Sequence, residues 1–497
     1  MLERISSAMS GRSWKTAIAL ALIAFLLRLP GHLNSGLWFD EIWLLTETIR
    51  SSFGSLVTTF ASDNNHPLYS LFTWVSVQAF GEAPWALRLP AVLFGGASIG
   101  MLWWFSMRVT TAWRAGVVTL LMTLSYHHVW FSQNARGYTM LLFWTLAATH
   151  FLLADLRGEG RRAWVGYGLT MALATYTHSS AVFVAVAHGL VMIGATVWPA
   201  ASAPGDRRNP KWTPFAGLAL AGGVSLLLHA AILPDMLEFF RGDPAAAPSP
   251  GEGVESEWNS PWWTIRAVAE SLGLGLPIGL VALGVAGFTT LVGVARFVRD
   301  DVRVAALFVL PAVIGVGATM ALGRPVRPRF LFNLGGFILL IVVTGTFETC
   351  ALMLRGVAEA HRPIWTRRME RLAAASMVAL FLLILPRAYT MPKQDFEGAY
   401  AAAEALRSAG HTVAITGLTV LPYDDYYEAG YPEIGSVEEL DRLARETPLG
   451  LYVLHTIPIY LESRIPDLAE RLRDAPIEAR FPGSLGAGDV LVLRIAP

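Results

Sequence analysis

The sequence predicts an all-α polytopic membrane protein that carries a small α/β domain at its C-terminal end. Three observations lead to this fold class. Only 15% of the 497 residues are charged, whereas a soluble protein would have about 25%. Apolar runs close to the ~20 residues that cross a bilayer recur along most of the chain. Residues 391–497, by contrast, alternate short strand-like and helix-like segments.

The overall composition agrees with a membrane protein. Hydrophobic residues make up 54% of the chain, and the mean hydropathy is +0.47. The 45 glycines and 17 tryptophans suit close helix packing and anchoring at the membrane interface. A net charge of zero gives no electrostatic reason to expect a nucleic-acid partner. The single cysteine, Cys350, lies in an apolar run, so an intrachain disulfide is impossible.

The first apolar segment, residues 14–30, follows a basic stretch that contains Arg4 and Arg12. No small-residue cleavage site comes after it, and Pro30 and Gly31 end it. We therefore expect an uncleaved signal anchor with the N-terminus in the cytoplasm.

Residues 42–80 are predicted to form two helices on the membrane surface. In residues 42–60 the apolar positions recur at helical spacing opposite polar ones, which is typical of an interfacial amphipathic helix. Residues 68–80 are apolar, but about 13 residues are too few for a span. If they crossed, the basic loop 108–114 would lie outside, against the positive-inside rule. We therefore predict a surface or re-entrant helix at 68–80.

With that segment on the surface, all of the short basic loops face the cytoplasm. These loops are 108–114, 157–162, 207–211, 296–303 and 355–371. About eleven transmembrane helices follow, predicted at 14–30, 86–107, 115–131, 138–156, 163–178, 180–198, 213–233, 276–296, 303–322, 330–353 and 372–390. The expected organisation is a transmembrane catalytic domain, 1–390, and an extracytoplasmic α/β domain, 391–497. The protein is expected to be a multi-pass protein of the cell (inner) membrane, with a long outer loop at 234–275.

The tail has predicted strands at 412–416, 450–455 and 490–495, and predicted helices at 395–408, 437–445 and 461–473. Such alternation indicates a small α/β fold. The segment 423–427, rich in tyrosine and aspartate, is interpreted as an exposed turn.

The predicted topology places a varied set of polar residues on the outer face. They come from several connections: Asp40, Glu41, His66, Arg88, Gln133, Arg136, Tyr138, His178, Arg327 and Arg329. The cytoplasmic loops contain mostly arginine. Polar groups collected at one face of a helical bundle suggest an outward-facing site.

The order of these motifs resembles the GT-C membrane glycosyltransferases, in the bacterial branch related to protein O-mannosyltransferases and the lipid A aminoarabinose transferase. The motifs are Leu-Trp-Phe-Asp-Glu at 37–41, His-Pro-Leu-Tyr at 66–69, Arg-Leu-Pro at 88–90, Ser-Gln-Asn-Ala-Arg-Gly-Tyr at 132–138, His178, and Arg-Pro-Arg-Phe at 327–330. The family usually has His-Pro-Pro where this chain has His66-Pro67-Leu68.

The resemblance implies transfer of a sugar from a polyprenyl-phosphate donor to a glycan, lipid or protein acceptor, with inversion at the anomeric carbon. Asp40 would be the general base, and Glu41 would orient the acceptor or act as an alternate base. Arg136 and Arg329 are the best candidates to stabilise the leaving phosphate. The other substrate-binding candidates are His66, Arg88, Gln133, Tyr138, His178 and Arg327. No metal is expected, although some distant members use a divalent cation.

Other interpretations stay open at this point. Asp40 could be the N-cap of the helix that follows it, and Arg88 could be a snorkelling anchor at the interface. The polar set could also belong to a transporter or flippase of a lipid-linked sugar. The absence of visible repeats and the clustering at one face favour an enzyme.

Overall fold

The computed structural model describes residues 12–31, 33–60, 65–160, 162–197, 212–241, 276–321, 328–484 and 488–495. The helices of the N-terminal part are Arg12–Leu26, Phe39–Trp43, Phe53–Thr58, Pro67–Phe80, Pro84–Val109, Ala112–Leu124, Tyr126–Ser132, Tyr138–Leu156, Ala163–Thr177, Ala181–Val197, Thr213–His229, Leu233–Arg241, Leu276–Asp300, Val302–Ala321, Gly335–Met353, Arg362–Ile384 and Arg387–Thr390. A π-helix, Leu44–Ile49, and a 3₁₀ helix, Pro328–Leu334, lie between them.

Several of these helices are long and apolar enough to cross a membrane. Within the described residues six qualify: Pro84–Val109, Tyr138–Leu156, Gly279–Asp300, Val302–Ala321, Arg329–Met353 and Arg362–Thr390. A seventh results if Thr213–His229 and Leu233–Phe239, bent by 93° at a short break, form one span. Shorter apolar helices include Trp14–Leu26, Ala112–Leu124 and Ala181–Val197. The expectation of a membrane protein is confirmed, and the count of about eleven spans stays a prediction.

Two helices form the centre of the bundle and others lie at its edge. Pro84–Val109 and Tyr138–Leu156 are mostly buried, whereas Arg362–Thr390 is mostly exposed on the bundle's outside. The first helix packs on Pro84–Val109 at Gly96, where a Cβ would lie 2.8 Å from the Ala21 carbonyl oxygen. A larger residue at position 96 would push the two helices apart. This glycine therefore helps to position the end of the first helix and the loop before Asp40.

The predicted continuous helix at 42–60 is wrong in one respect, because the structure breaks it into three pieces. Phe39–Trp43 continues into the π-helix Leu44–Ile49, and a new helix, Phe53–Thr58, starts after a gap. The break has a local cause: the Ser52 hydroxyl accepts the Ser55 amide proton at 3.1 Å and caps the new helix. Most of the predicted apolar stripe is buried, but Phe53 is exposed. The helix at 68–80 is present as Pro67–Phe80, and its surface or re-entrant position stays a prediction.

The tail contains a four-stranded sheet flanked by helices. Its strands are β1 (Thr412–Ile415), β2 (Leu451–Thr456), β3 (Ile477–Phe481) and β4 (Val490–Ile495), in the order β1-β2-β4-β3. β1 and β2 are parallel, and β4 pairs antiparallel with both β2 and β3. Three strands lie where the sequence predicts them. β3 is an edge strand with mostly exposed side chains, so it lacks the apolar pattern that identifies a strand.

The tail helices are Phe396–Ser408, Val437–Glu446, Pro458–Arg464 and Pro466–Arg473. The predicted helix at 461–473 is interrupted because Pro466 starts a new one. The exposed turn predicted at 423–427 is correct for the exposed Asp424 and Asp425. It is wrong for Tyr423, which is fully buried and donates a hydrogen bond to the Phe396 carbonyl at 3.2 Å. This region belongs to a short π-helix, Leu421–Tyr426, which packs against Phe39–Trp43. The tail therefore contacts the segment that carries the acid pair.

Candidate active site

Asp40 and Glu41 lie in the first turn of the short helix Phe39–Trp43. The N-cap is Trp38, so the interpretation of Asp40 as the N-cap is wrong. Successive residues on a helix point about 100° apart, and the two carboxylates accordingly have different surroundings. The Asp40 side chain is 19% exposed, whereas the Glu41 side chain is entirely buried. Only Asp40 is open to a ligand from outside.

Asp40 faces two arginines from distant parts of the chain. Its Oδ2 atom lies 3.6 Å from Arg136 Nη2 and 3.9 Å from Arg329 Nη1. Arg136 follows the helix Tyr126–Ser132, and Arg329 lies in the 3₁₀ helix that opens a candidate span. The Arg136 side chain is 4% exposed and that of Arg329 is 28% exposed. The predicted neighbour Arg327 lies outside the described residues.

Three aromatic side chains that can donate hydrogen bonds lie beside these arginines. The His66 ring centroid lies 4.9 Å from that of Tyr138 and 4.8 Å from that of His178. The Nδ1 atom of His178 accepts the Ser180 amide proton at 3.1 Å, so a neutral imidazole carries its own proton on Nε2. That buried Nε2 has no hydrogen-bond partner among the described residues. It is a donor available to a ligand.

His66 is neutral at physiological pH. Burial is the largest cause that lowers its pKa well below 6.5, and the positive charge of Arg136 adds to the effect. The ring is also closely confined, because a Cβ on Gly137 would lie 2.9 Å from His66 Nδ1 and 3.1 Å from Thr177 Cγ2. Glycine at position 137 thus lets the segment with Arg136 approach the histidine closely.

Glu41 and Arg88 form a buried ion pair. Arg88 donates from Nε to Glu41 Oε1 at 2.9 Å and from Nη2 to Oε2 at 2.5 Å. The other Arg88 hydrogen bonds go to the carbonyls of Leu33, Ser35 and Gly36, and Glu41 Oε1 also accepts the Ala135 amide proton at 2.7 Å. Arg88 is therefore not a snorkelling anchor, and that interpretation is wrong. The pair joins the first loop, a central helix and the 132–138 segment.

The charge of Glu41 is stabilised in this environment. Burial by itself would raise its pKa, but the charges of Arg88 and Lys393 and the Ala135 hydrogen bond outweigh burial, so the pKa lies below its ordinary value. Glu41 is ionised and fully engaged with protein donors. Asp40 is the carboxylate of the pair that faces outward.

Gln133 and Asn134 also make hydrogen bonds within the protein. Gln133 Nε2 donates to the carbonyls of Arg28, at 2.9 Å, and Pro30. Asn134 Oδ1 accepts from the indole of Trp38 at 3.1 Å. These amides hold the end of the first helix and the start of the Asp40 helix against the 132–138 segment.

Lys393 is a buried residue of this region that sequence reasoning missed. Its ammonium donates to the Gln133 carbonyl and lies 5.5 Å from the centre of the Trp130 ring. Burial lowers its pKa from 10.5 to about 7, although Glu41 acts in the opposite direction. The neighbouring Gln394 accepts the Phe39 amide proton at 3.2 Å. A lysine just after an apolar segment is usually an exposed anchor, so no sequence pattern indicates this burial.

The part of the chain that the structure describes has no group of three His, Cys, Asp or Glu side chains placed to hold a metal ion. In the candidate site the positive charges near Asp40 come from Arg136 and Arg329 instead.

Comparisons with known proteins agree on one class. Residues 64–204 match the family model described as dolichyl-phosphate-mannose-protein mannosyltransferase, and no curated protein sequence gives a significant match. The apo structure of ArnT from Cupriavidus metallidurans has a TM-score of 0.50 at 15% identity and covers 96% of this chain and 97% of that one. The apo oligosaccharyltransferase of Archaeoglobus fulgidus has a TM-score of 0.53 at 12% identity, covering 98% and 77%. The archaeal oligosaccharyltransferase AglB from Archaeoglobus fulgidus, in complex with an inhibitory peptide and a dolichol-phosphate, has a TM-score of 0.52 at 11% identity, covering 97% and 76%.

The fold is that of the GT-C membrane glycosyltransferases. The resemblance noted in its sequence motifs is confirmed. Within the superfamily, residues 64–204 carry the mannosyltransferase family model, and the chain is similar to ArnT over nearly the whole length of both proteins.

Proposed function

We propose that this protein transfers a sugar from a polyprenyl-phosphate donor to an acceptor at the outer face of the membrane. One observation carries the proposal: the partly exposed Asp40 carboxylate lies beside both Arg136 and Arg329. The reaction needs access for the acceptor, a base for the acceptor proton and positive charge beside the leaving phosphate. The fold is consistent with it, and the related AglB is described in complex with a dolichol-phosphate.

Asp40 is the general base in this proposal. The acceptor oxygen attacks the anomeric carbon, and its proton passes to a carboxylate oxygen of Asp40. The bond between the anomeric carbon and the phosphate oxygen breaks at the same time, and its electron pair stays on the lipid phosphate. Arg136 and Arg329 stabilise the charge that develops there, because guanidinium groups match the geometry of phosphate oxygens.

The same arrangement connects donor binding to the contacts of the Asp40 carboxylate. Without donor, both arginines face Asp40 Oδ2. A donor phosphate competes for these two cations. When they turn to the phosphate, the Asp40 carboxylate can accept a hydrogen bond from the acceptor hydroxyl in their place.

His66, Tyr138 and His178 bind the donor through hydrogen bonds. Neutral histidines contribute hydrogen bonds without a further charge in a region that already has two arginines. The His178 Nε2 proton is the most specific candidate, since that buried atom has no partner among the described residues.

We propose an inverting reaction, because Asp40 is the outward-facing carboxylate of the acid pair and acts as a base on the acceptor rather than as a nucleophile. Glu41 is buried and bonded to Arg88 and to the Ala135 amide. It cannot act as an alternate base without leaving those donors. We therefore assign Glu41, Arg88 and Gln133 to positioning the Asp40 loop rather than to contact with substrate. A single displacement by the acceptor inverts the anomeric carbon.

Replacement of Asp40 by asparagine tests the role of the base. The assay measures transfer from a radiolabelled polyprenyl-phosphate sugar in proteoliposomes that contain the purified full-length protein. We expect Asp40→Asn to lower the rate by about 10²- to 10⁴-fold, while the variant still binds the lipid-linked donor. The matched control is Glu47→Gln, which changes an exposed carboxylate a short distance along the same segment and should keep full activity.

Two results would contradict the proposal. If Asp40→Asn transfers sugar at the wild-type rate, Asp40 is not the base. If the wild-type protein moves the lipid-linked sugar across the bilayer without any transfer to an acceptor, the protein is a flippase. The anomeric configuration of the product, measured by NMR, tests inversion separately.

A further inference from the structure

We propose that Arg367, Arg368 and Arg371 form a binding site for the phosphate of an anionic membrane phospholipid. The site lies in the second and third turns of the helix Arg362–Ile384, apart from the residues around Asp40. These three arginines and Ile364 line an open surface pocket. The proposal does not depend on the sugar-transfer function.

The three guanidinium groups converge because of their spacing. Positions 364, 367, 368 and 371 follow the three- and four-residue intervals that place side chains on one face of a helix. The neighbouring acidic residue Glu370 has its carboxylate 4.0 Å from Arg114, and so it contributes to a different cluster. Arg367 donates from Nε to the Pro363 carbonyl at 3.2 Å, which orients its guanidinium.

Basic residues that only set the orientation of a membrane helix would not need to line one pocket. The positive-inside rule depends on the number of basic residues near the membrane and not on their spacing. Helix stability does not explain the cluster either. The arginines lie in the N-terminal half of the helix, where the helix dipole does not stabilise positive charge. Three arginines that share one pocket are instead typical of a site for a phosphate group.

The surroundings of the pocket favour a lipid over a free phosphate. Trp365 and Ile364 are about half exposed beside the arginines, and the Arg368 guanidinium lies 5.1 Å from the Trp365 ring centre. The helix continues as an outward-facing apolar surface, on which Leu372 is 69% and Leu383 is 78% exposed. A phospholipid can place its phosphate among the arginines and its acyl chains along these leucines.

Binding of short-chain lipids to the purified full-length protein in detergent tests the proposal. The probes are dioctanoyl phosphatidylglycerol, dioctanoyl phosphatidylcholine and inorganic phosphate, and native mass spectrometry measures their occupancy. We expect phosphatidylglycerol to bind more tightly than the other two. The triple variant Arg367→Gln, Arg368→Gln, Arg371→Gln should weaken its binding by about tenfold to a hundredfold.

Two controls separate this site from general electrostatics. The triple variant Arg442→Gln, Arg445→Gln, Arg473→Gln removes the same charge from the tail and should leave lipid binding unchanged. The triple variant Arg367→Lys, Arg368→Lys, Arg371→Lys keeps the charge but loses the planar guanidinium groups, so it should bind phosphatidylglycerol with intermediate strength.

Three outcomes would overturn the proposal. Equal binding of phosphatidylcholine and phosphatidylglycerol would show that the charge of the headgroup is not recognised. Inorganic phosphate that binds as tightly as phosphatidylglycerol would show a site for a soluble anion. An equal loss of binding in the tail triple variant would show that the total charge matters and the pocket does not.

Discussion

Replacement of Glu41 by glutamine is the most direct test of the buried ion pair. Glutamine has nearly the same shape, but it has no charge and presents an NH₂ group where the glutamate presents a second acceptor oxygen. Arg88 would keep its positive charge in a fully buried position and would lose one of its two hydrogen bonds to residue 41. The Ala135 amide, now bonded to the carboxylate at 2.7 Å, would compete for the single remaining oxygen.

The expected loss of stability is large. Breaking a buried ion pair from one side costs about 3–5 kcal/mol, because the remaining charge stays desolvated. The total stability of a domain is roughly 5–15 kcal/mol. Glu41→Gln should therefore lower the unfolding temperature markedly, and since the pair holds the Asp40 loop, activity should fall as well.

A matched control is available in the same part of the chain. Arg50 and Glu82 also form a bidentate ion pair, with hydrogen bonds of 2.9 and 3.2 Å. Their side chains, however, are 36% and 44% exposed. Glu82→Gln should cost only about 0–1 kcal/mol. Both variants can be followed by intrinsic tryptophan fluorescence during thermal unfolding in detergent. A double replacement, Glu41→Gln with Arg88→Gln, should cost clearly less than the sum of the single changes.

The reasoning is refuted if Glu41→Gln shifts the unfolding temperature no more than Glu82→Gln does. It is also refuted if the effects of the two single changes at positions 41 and 88 are additive. Either result would show that the buried pair contributes no more than an ordinary surface pair.

Three further predictions follow from single features of the site. The pKa of Lys393 is lowered to about 7, so the unfolded chain binds more protons than the folded one above that pH. Stability should then rise from pH 7 to pH 9 in thermal unfolding, and Lys393→Met should remove that rise. Gly137→Ala should lower transfer at least about tenfold by displacing His66, whereas Gly222→Ala, with open space around it, should not; equal activities would contradict the close approach. We propose that the two arginines make a metal unnecessary, so transfer should persist in EDTA, and full loss with recovery on adding a divalent cation would show the opposite.

Much of the site could be predicted because its residues belong to ordered motifs. The first loop, the His66 motif, the 132–138 segment and His178 form one ordered pattern in the sequence, and the structure brings Asp40, Arg136, His66 and His178 together. The sequence could not separate the surroundings of the adjacent Asp40 and Glu41. That difference depends on which way a helix of five residues faces, and packing against Arg88 decides it.

The main errors concern features that depend on distant contacts. Most residues of the predicted apolar stripe at 42–60 are buried, as expected. The stripe does not form one continuous helix, because Ser52 caps a new helix within it. Lys393 could not be predicted as buried, because its partner, Gln133, lies far away in the sequence and a charged side chain enters a core only where such a partner exists. The arginine at 327 and the loop at 242–275 lie outside the described residues, so the predictions for them stay predictions.

The hydrogen bonds of Lys393 and Gln394 set a practical limit on exchanging tails between related proteins. These two residues follow the last candidate span and precede the first tail helix, yet they bond to Gln133 and to the backbone of the Asp40 helix. A chimera joined at residue 390 would replace both contacts together with the tail. A junction after residue 394 keeps them with the membrane part, so that an exchanged tail has to reproduce only its own contact with the Asp40 helix, which Leu421–Tyr426 makes here.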